Sequence, residues 1–182
     1  MGVASLRNPV NLAVATWSWG NYYGDAKMKG AKLDVAKWQR PDPKTAPFEA
    51  KAAGLYMIAT MSKHTAEANG CSDAMMMDYR GYVAEATGAN IFFVKDGEVH
   101  TPTPDAFLNG LTRQTVIEML TKMGVKVHER HILPGELEDF SQCWLTGSAA
   151  EITPVGQIGN YNFEVGELTQ AVSKNYEQLV RE

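Results

Sequence analysis

Residues 81–97 read Gly-Tyr-Val-Ala-Glu-Ala-Thr-Gly-Ala-Asn-Ile-Phe-Phe-Val-Lys-Asp-Gly, and this stretch decides the fold class. Two largely apolar runs, Tyr82 to Ala86 and Asn90 to Val94, are typical of β-strands, and Lys95-Asp-Gly97 is typical of a hairpin turn. The first run carries one carboxylate, Glu85, in a strand that otherwise reads as buried. Because an ionised group taken out of water costs several kcal/mol, Glu85 needs a cationic or hydrogen-bonding partner, and a protonated heterocycle would serve.

The segments on either side of this stretch alternate between strand and helix patterns. Strands at Ala74–Asp78 and Glu98–Thr101 would complete an antiparallel meander with the two central runs. Because strands and helices intermingle, the pattern predicts an α+β (mixed α/β) fold. The remaining predicted elements are a strand at Pro9–Trp19, irregular structure at Lys27–Pro47, a helix from about Gly54 to Ala68, a helix capped by Thr112 and ended by Gly124, a strand at Val125–Ile132, a short helix after Pro134, strands at Cys143–Thr146 and around Ile152–Ile158, and a final helix from about Glu167.

Composition excludes several classes of function. The chain has 182 residues, of which 45% are hydrophobic, so it can bury a substantial core. A net charge of −4 leaves no basic excess for a nucleic acid. No apolar run is long enough to cross a membrane, and Met1–Arg7 lack the long apolar core of a secretory signal, so we expect a cytoplasmic protein. Two distant cysteines, Cys71 and Cys143, are expected to stay reduced, and strand alternation sends His128 and His131 to opposite faces, which predicts no metal site.

Four motifs in order resemble a known family. They are Lys51 in Ala-Lys-Ala-Ala-Gly, the Glu85 stretch, Gly110-Leu111-Thr112, and the run from Gly147 to Val155. Together they resemble branched-chain aminotransferases of the fold-type IV pyridoxal-phosphate class, over nearly the whole chain. The resemblance implies a pseudobarrel sheet with flanking helices, forming the large C-terminal cofactor domain of that fold. Residues 1–182 would then be one pyridoxal-phosphate-binding domain, without the smaller N-terminal domain of the family.

The resemblance also implies a role for each motif. Lys51 corresponds to the Schiff-base lysine, and Glu85 to the carboxylate held against the pyridine nitrogen of pyridoxal 5′-phosphate. Tyr56 corresponds to a tyrosine that reaches the oxygen on the cofactor ring. Gly110, Leu111 and Thr112 open a helix, where free N–H groups favour an anion, and with Gly147 and Ser148 they correspond to the phosphate-binding loops. Ser148 and the amide of Ala149 correspond to groups that meet the substrate carboxylate.

The function implied is transamination of leucine, isoleucine and valine with 2-oxoglutarate as amino acceptor. Lys51 would also shuttle the proton in ping-pong chemistry. The expected partners are small amino acids and 2-oxo acids, and the family implies a homo-oligomer, a dimer or larger. Four alternatives stay open: a D-amino-acid aminotransferase, an aminodeoxychorismate lyase, a non-catalytic remnant that binds cofactor or a partner chain, and a generic α+β domain in which Lys51 and Glu85 are solvated. A chain without the N-terminal domain is expected to have reduced activity.

Overall fold

A mixed sheet organises the part of the chain that the computed structural model describes, which is residues 6–18, 20 and 29–181. Nine strands occur in these residues, in the order β3-β2-β1-β8-β7-β4-β5-β6, with β9 paired to β8. The sheet curls into a half-barrel, which confirms the predicted mixed α/β class. The strands are β1 Ala31–Val35, β2 Asp73–Met77, β3 Val83–Ala86, β4 Asn90–Lys95, β5 Glu98–Pro102, β6 Val127–Arg130, β7 Gln142–Gly147, β8 Glu151–Ile158 and β9 Tyr161–Asn162.

Three α-helices that lie wholly within the described residues, and two 3₁₀ turns, connect and cover the sheet. The helices are α1 Met57–Ala68, α2 Leu111–Lys122 and α3 Glu167–Leu179, and the 3₁₀ turns are Ala53–Tyr56 and Pro134–Asp139. These bounds confirm the predicted helices to within a few residues. One detail differs: Gly110 occupies the N-cap of α2, and Thr112 is a buried residue inside the first turn rather than the cap.

The core lies on both faces of the sheet, and β4 contributes to each. Ile91 and Phe93 pack into a cluster on one face, whereas Phe92 and Val94 pack with residues of α2 and α3 on the other. A smaller cluster lies between α1 and β2 and includes Met76. Because β4 is buried on both faces, its sequence is an apolar run rather than an alternating one. Met75 and Met76 of the methionine run are buried within this chain.

Two predictions about the first fifty residues are wrong. Ala31–Val35 lies inside the stretch predicted to be irregular, yet it forms β1, a strand parallel to both β2 and β8. Its packing is tight, because a Cβ on Gly30 would lie 2.6 Å from the Gly156 nitrogen. Residues 9–18 form no regular element, and Val10 is 99% exposed. The alternating pattern there carries strand propensity, but a strand forms only with a hydrogen-bonding partner. Trp19 lies outside the described residues.

The predicted antiparallel meander is also wrong at its centre. β2 pairs with β3 and β4 pairs with β5, both antiparallel as expected. However, β3 ends the sheet order at one side, and β4 pairs instead with β7. The Thr87–Ala89 turn therefore joins two separate hairpins, with Glu85 near the end of β3 on one side of the turn and Asn90 at the start of β4 on the other. Within the described ranges, no helix has both the length and the apolar character needed to cross a bilayer.

Candidate functional site

One cavity collects every residue that the sequence singled out. It measures about 530 Å³, within the range of pockets that enclose small ligands. Four segments form it: residues 40–56, the turn between β3 and β4, the loop entering α2, and the end of β7. The nine predicted residues in its lining are Lys51, Tyr56, Glu85, Gly110, Leu111, Thr112, Gly147, Ser148 and Ala149.

Glu85 is the most deeply buried ionisable group of the predicted set. Glu85 lies in β3, and only 6% of the residue is exposed. Oε1 lies 2.8 Å from an Arg40 guanidinium nitrogen, and Oε2 accepts a hydrogen bond of 3.1 Å from Asn90. Burial raises the pKa of Glu85 to about 7, while the positive charges of Arg40 and Lys51 act in the opposite direction. A carboxyl that titrates near neutrality can exchange a proton with a basic group placed against it.

Arg40 supplies the partner that the burial of Glu85 demands. The guanidinium is itself buried, and it also contacts two main-chain oxygens, those of Leu55 and Thr87, at 3.4 Å each. It therefore joins the turn that carries Tyr56 to the strand that carries Glu85. Sequence reasoning missed Arg40, because 45 positions separate it from Glu85 and nothing local marks it among the 17 basic residues. Its one signal was the requirement for a cation.

Lys51 lies on the exposed side of the cavity. It precedes the 3₁₀ turn Ala53–Tyr56, and its Nζ lies 5.7 Å from the centre of the Tyr56 ring. Both residues are exposed. A primary amine, a phenol and a buried carboxyl therefore face one space from different segments of the chain.

Another part of the cavity lining offers hydrogen-bond donors to an anion. The N–H groups of Leu111 and Thr112 lie in the first turn of α2, where the helix dipole is positive, whereas the N–H of Gly110 donates to Asn90. The turn after β7 brings Gly147 and Ser148 to the same cavity. Beside them, Thr146 is buried, and its Oγ1 has no hydrogen-bond partner among the described residues. A hydroxyl left unpaired in a cavity wall is available to a bound ligand.

A second polar cluster lies outside this cavity. Glu98, His100 and His128 bring potential metal-ligand atoms within 4.8 Å of one another on β5 and β6. Each of these three side chains already has a polar partner within the chain. Arg130 donates to His100 Nδ1 at 3.0 Å, and Lys126 and His128 both contact the Glu98 carboxylate. These two contacts hold the pKa of Glu98 below its usual value. Sequence spacing gave no sign of the cluster, because His100 and His128 meet only through the pairing of two strands.

Known proteins match this chain over most of its length. The family model for amino-transferase class IV matches residues 2–158. A curated branched-chain-amino-acid aminotransferase from Pseudomonas aeruginosa is 34% identical, over 99% of this chain and 60% of that protein. The chain therefore spans little more than half of that relative.

Solved structures agree with the sequence match. A branched-chain aminotransferase from Thermoproteus uzoniensis, crystallised with norvaline, superposes with a TM-score of 0.86 and 34% identity, over 91% of this chain and 55% of that one. An aminotransferase from Brucella abortus, bound to the cofactor pyridoxal phosphate, gives a TM-score of 0.80 and 32% identity, over 85% of this chain and 55% of that one. The resemblance drawn from the sequence is thereby confirmed at the level of the family and the fold.

Proposed function

Because the chain belongs to the class IV aminotransferase family, we propose that its cavity binds pyridoxal 5′-phosphate and serves the transamination of branched-chain amino acids with 2-oxoglutarate. The observation that carries this proposal is the convergence of nine residues from separate segments on one cavity, with an amine, a buried carboxyl and an anion-binding end. The chain spans about half the length of its relatives, so cofactor attachment and full turnover are proposed as separate steps and tested separately.

The residues in the cavity fit the parts of this cofactor. The helix start at Gly110–Thr112 and the turn at Gly147–Ser148 would hold the phosphate, because both line the cavity and backbone N–H groups at such sites favour an anion. Glu85 would face the pyridine nitrogen, and Tyr56 the ring oxygen. The unpaired Thr146 hydroxyl lies beside the phosphate end and adds a further donor there. The amide of Ala149 would remain for the substrate carboxylate.

Lys51 would do the proton transfers. When bound, pyridoxal 5′-phosphate supplies an electron-withdrawing ring that stabilises negative charge developing at the substrate α-carbon. The Lys51 amine would hold the group covalently, and after its release by the substrate amine it would carry a proton at Nζ to and from the α-carbon. Its exposed position leaves Nζ room to turn between these two tasks.

Glu85 would keep a proton on the ring nitrogen. Burial raises the pKa of this carboxyl group to about 7, because it disfavours the ionised form. A cation placed against the carboxylate stabilises that ionised form. Arg40 contacts Oε1 and Asn90 contacts Oε2, yet each carboxylate oxygen has a further lone pair for a protonated nitrogen. The carboxylate would therefore bind the protonated ring better than the neutral one.

Covalent attachment is the direct test. The purified chain is incubated with pyridoxal 5′-phosphate, reduced with borohydride and digested, and the pyridoxyl label is located by mass. We expect the label on Lys51 and its loss in Lys51→Ala, while Lys44→Ala, at an exposed lysine outside the cavity, keeps it. Label spread over surface lysines in both variants would contradict the assignment.

Turnover tests the substrate class. L-Leucine, L-valine and D-alanine are each supplied with 2-oxoglutarate, and glutamate formation is followed. Transfer from leucine and valine alone supports the branched-chain assignment. Transfer from D-alanine would favour a D-amino-acid aminotransferase instead. Label on Lys51 without transfer from any donor would identify a domain that binds the cofactor but does not turn over on its own.

A further inference from the structure

Asn90 is hydrogen-bonded to two separate parts of the cavity lining, Glu85 on β3 and the loop that enters α2. Its Nδ2 donates to Glu85 Oε2 at 3.1 Å and to the Leu108 carbonyl at 3.0 Å. Its Oδ1 accepts from the Gly110 backbone N–H at 3.1 Å. The residue is buried at the start of β4. One planar amide thus contacts the carboxyl group of Glu85 on β3 and the N-cap residue of α2, Gly110.

The chemistry of these three contacts requires an amide. Reversing the group would place its oxygen against two acceptors, Glu85 and the Leu108 carbonyl, and its NH₂ against the Gly110 N–H, so the orientation is determined by the partners. An aspartate at this position keeps the acceptor but loses both donors. A serine is too short to reach two segments, and a glutamine is one methylene too long.

The packing around this amide is tight enough to fix it. A Cβ on Gly110 would lie 2.5 Å from Asn90 Oδ1, so the backbone approaches the amide as closely as a glycine allows. From the other side, the buried Arg113 donates to the Asn109 side chain at 2.9 Å and to the Pro102 carbonyl at 3.0 Å. The loop that enters α2 is therefore held at its back by Arg113 and at the cavity by Asn90.

We propose that Asn90 is a positioning residue that couples Glu85 to the loop entering α2. Its NH₂ group orients Glu85 and favours the ionised carboxylate, while its carbonyl oxygen fixes the N–H of Gly110 at the N-cap of α2. Only the naming of the bound group rests on the proposed function. The contacts belong to the chain itself, so the coupling exists without cofactor. It fixes the separation between the carboxyl that meets a ring nitrogen and the helix start that meets an anion, and it therefore sets the length of ligand that can contact both.

Asn90→Asp separates the donor role from the acceptor role. The substitution preserves the shape and the contact to Gly110, but it places a carboxylate oxygen against Glu85. A like charge at hydrogen-bonding distance disfavours ionisation, so we expect Glu85 to titrate about one pH unit or more higher than in the wild type. The measurement is a ¹³C NMR titration of the cofactor-free chain with labelled glutamate, in which Glu85→Gln identifies the resonance.

Asn90→Ala removes both roles and provides the second variant. We expect the Glu85 titration to move upward again, because a donor to the carboxylate is lost, and the Gly110 amide to exchange hydrogen about tenfold faster or more, because its acceptor is gone. Thr101→Val is the matched control: it deletes a buried hydrogen bond of 2.8 Å to the Ile91 carbonyl, outside the cavity. A purely structural role for Asn90 would lower stability in both alanine and valine variants without moving Glu85.

Two results would overturn the proposal. One is a Glu85 titration that coincides with the wild type in both Asn90 variants. The other is a Gly110 amide that exchanges no faster in Asn90→Ala than in Thr101→Val. Neither measurement requires ligand, so absence of a pyridoxyl label on Lys51 would count against the proposed function alone and would leave this coupling standing.

Discussion

The cavity has two walls that differ in how the fold holds them. The strand wall consists of Glu85, Asn90 and Thr146, which are all buried and lie in or beside paired strands. The lysine wall consists of residues 50–56, most of which are exposed and which contain a single 3₁₀ turn. Glu85 and Asn90 on the first wall are each fixed by more than one polar contact. The amine on the second wall lies at the surface.

The contrast matches two different requirements of the proposed chemistry. Groups that stabilise charge work best when they are preorganised and shielded from water. An amine that must attach, detach and carry a proton needs room to move, and an exposed turn provides it. Substitutions on the strand wall should therefore cost stability as well as function, whereas substitutions on the lysine wall should cost function alone.

Arg40 joins the two walls, so its loss gives the largest expected effect. The guanidinium contacts Glu85 on the strand wall and the Leu55 carbonyl on the lysine wall. Removing one partner of a buried ion pair leaves an uncompensated charge, so Arg40→Met should lower the unfolding free energy by about 3–5 kcal/mol at pH 8. At pH 5 the loss should be smaller, because Glu85 is then largely protonated. Urea unfolding at the two pH values measures both.

Lys44→Met provides the control, since Lys44 is exposed and lies outside the cavity. It should change the unfolding free energy by less than about 0.5 kcal/mol at either pH. An equal loss for Arg40→Met at pH 5 and pH 8 would show that the guanidinium acts through packing alone, and the two walls would then not be linked electrostatically.

The buried carboxyl predicts a pH dependence of stability that belongs to the strand wall. The pKa of Glu85 in the folded chain is about 7, above its ordinary value of 4.5, so the folded state binds more protons than the unfolded state between these values. The contribution of the protonated Glu85 to the free energy of unfolding is present in full below about pH 4.5, and it is lost as the pH rises through 7. The shift corresponds to a loss on the order of 3 kcal/mol.

The measurement is urea unfolding of the cofactor-free wild type and of Glu85→Gln between pH 4.5 and pH 8. The difference between the two unfolding free energies isolates the carboxyl, and it should shift in favour of the glutamine variant as the pH rises. Glu49→Gln, at an exposed glutamate, should stay within about 0.5 kcal/mol of the wild type at each pH. A difference in unfolding free energy that does not vary with pH would mean that burial does not raise the pKa of Glu85.

Local pattern was enough to predict most elements, and the family resemblance singled out nine of the residues that line the cavity. The Asp-Gly turn, the spacing of Val116 and Leu120, and the buried run of β4 are each visible within a dozen residues. Candidate residues at strand ends and at a helix start converge because such ends meet at one edge of a sheet. The order of the motifs along the chain gave the family resemblance, and the resemblance assigned each motif a role that its spacing alone does not indicate.

The features that were missed depend on contacts between distant segments. Arg40 reaches Glu85 across 45 positions, and Asn90 reaches Gly110 across 20. β1 is a strand because β2 and β8 pair with it on both sides, although prolines and polar residues follow it closely in sequence. Residues 9–18 show the converse case, in which an alternating pattern forms no strand in the described structure. In each case a partner chosen by the tertiary fold decides the outcome.

Two glycines, Gly110 beside Asn90 of the strand wall and Gly54 within the lysine wall, give the smallest expected effects. In Gly110→Ala the new Cβ would lie 2.5 Å from Asn90 Oδ1, and the amide cannot turn away without breaking its bonds to Glu85 and Leu108, so we expect a loss of about 1–3 kcal/mol. In Gly54→Ala the Cβ meets no atom within 4 Å, and a more restricted unfolded chain should leave stability equal or up to about 1 kcal/mol higher. Both changes in the free energy of unfolding are measured by urea unfolding of the cofactor-free chain.

Equal losses at the two positions would mean that the lysine wall is packed as tightly as the strand wall. The division between a fixed wall that carries Glu85 and an accessible wall that carries the Lys51 amine would then fail. A loss of stability at Gly110 with no loss at Gly54 would support that division, because the same added methyl group would then be unfavourable only where the Asn90 amide connects Glu85 to the loop entering α2.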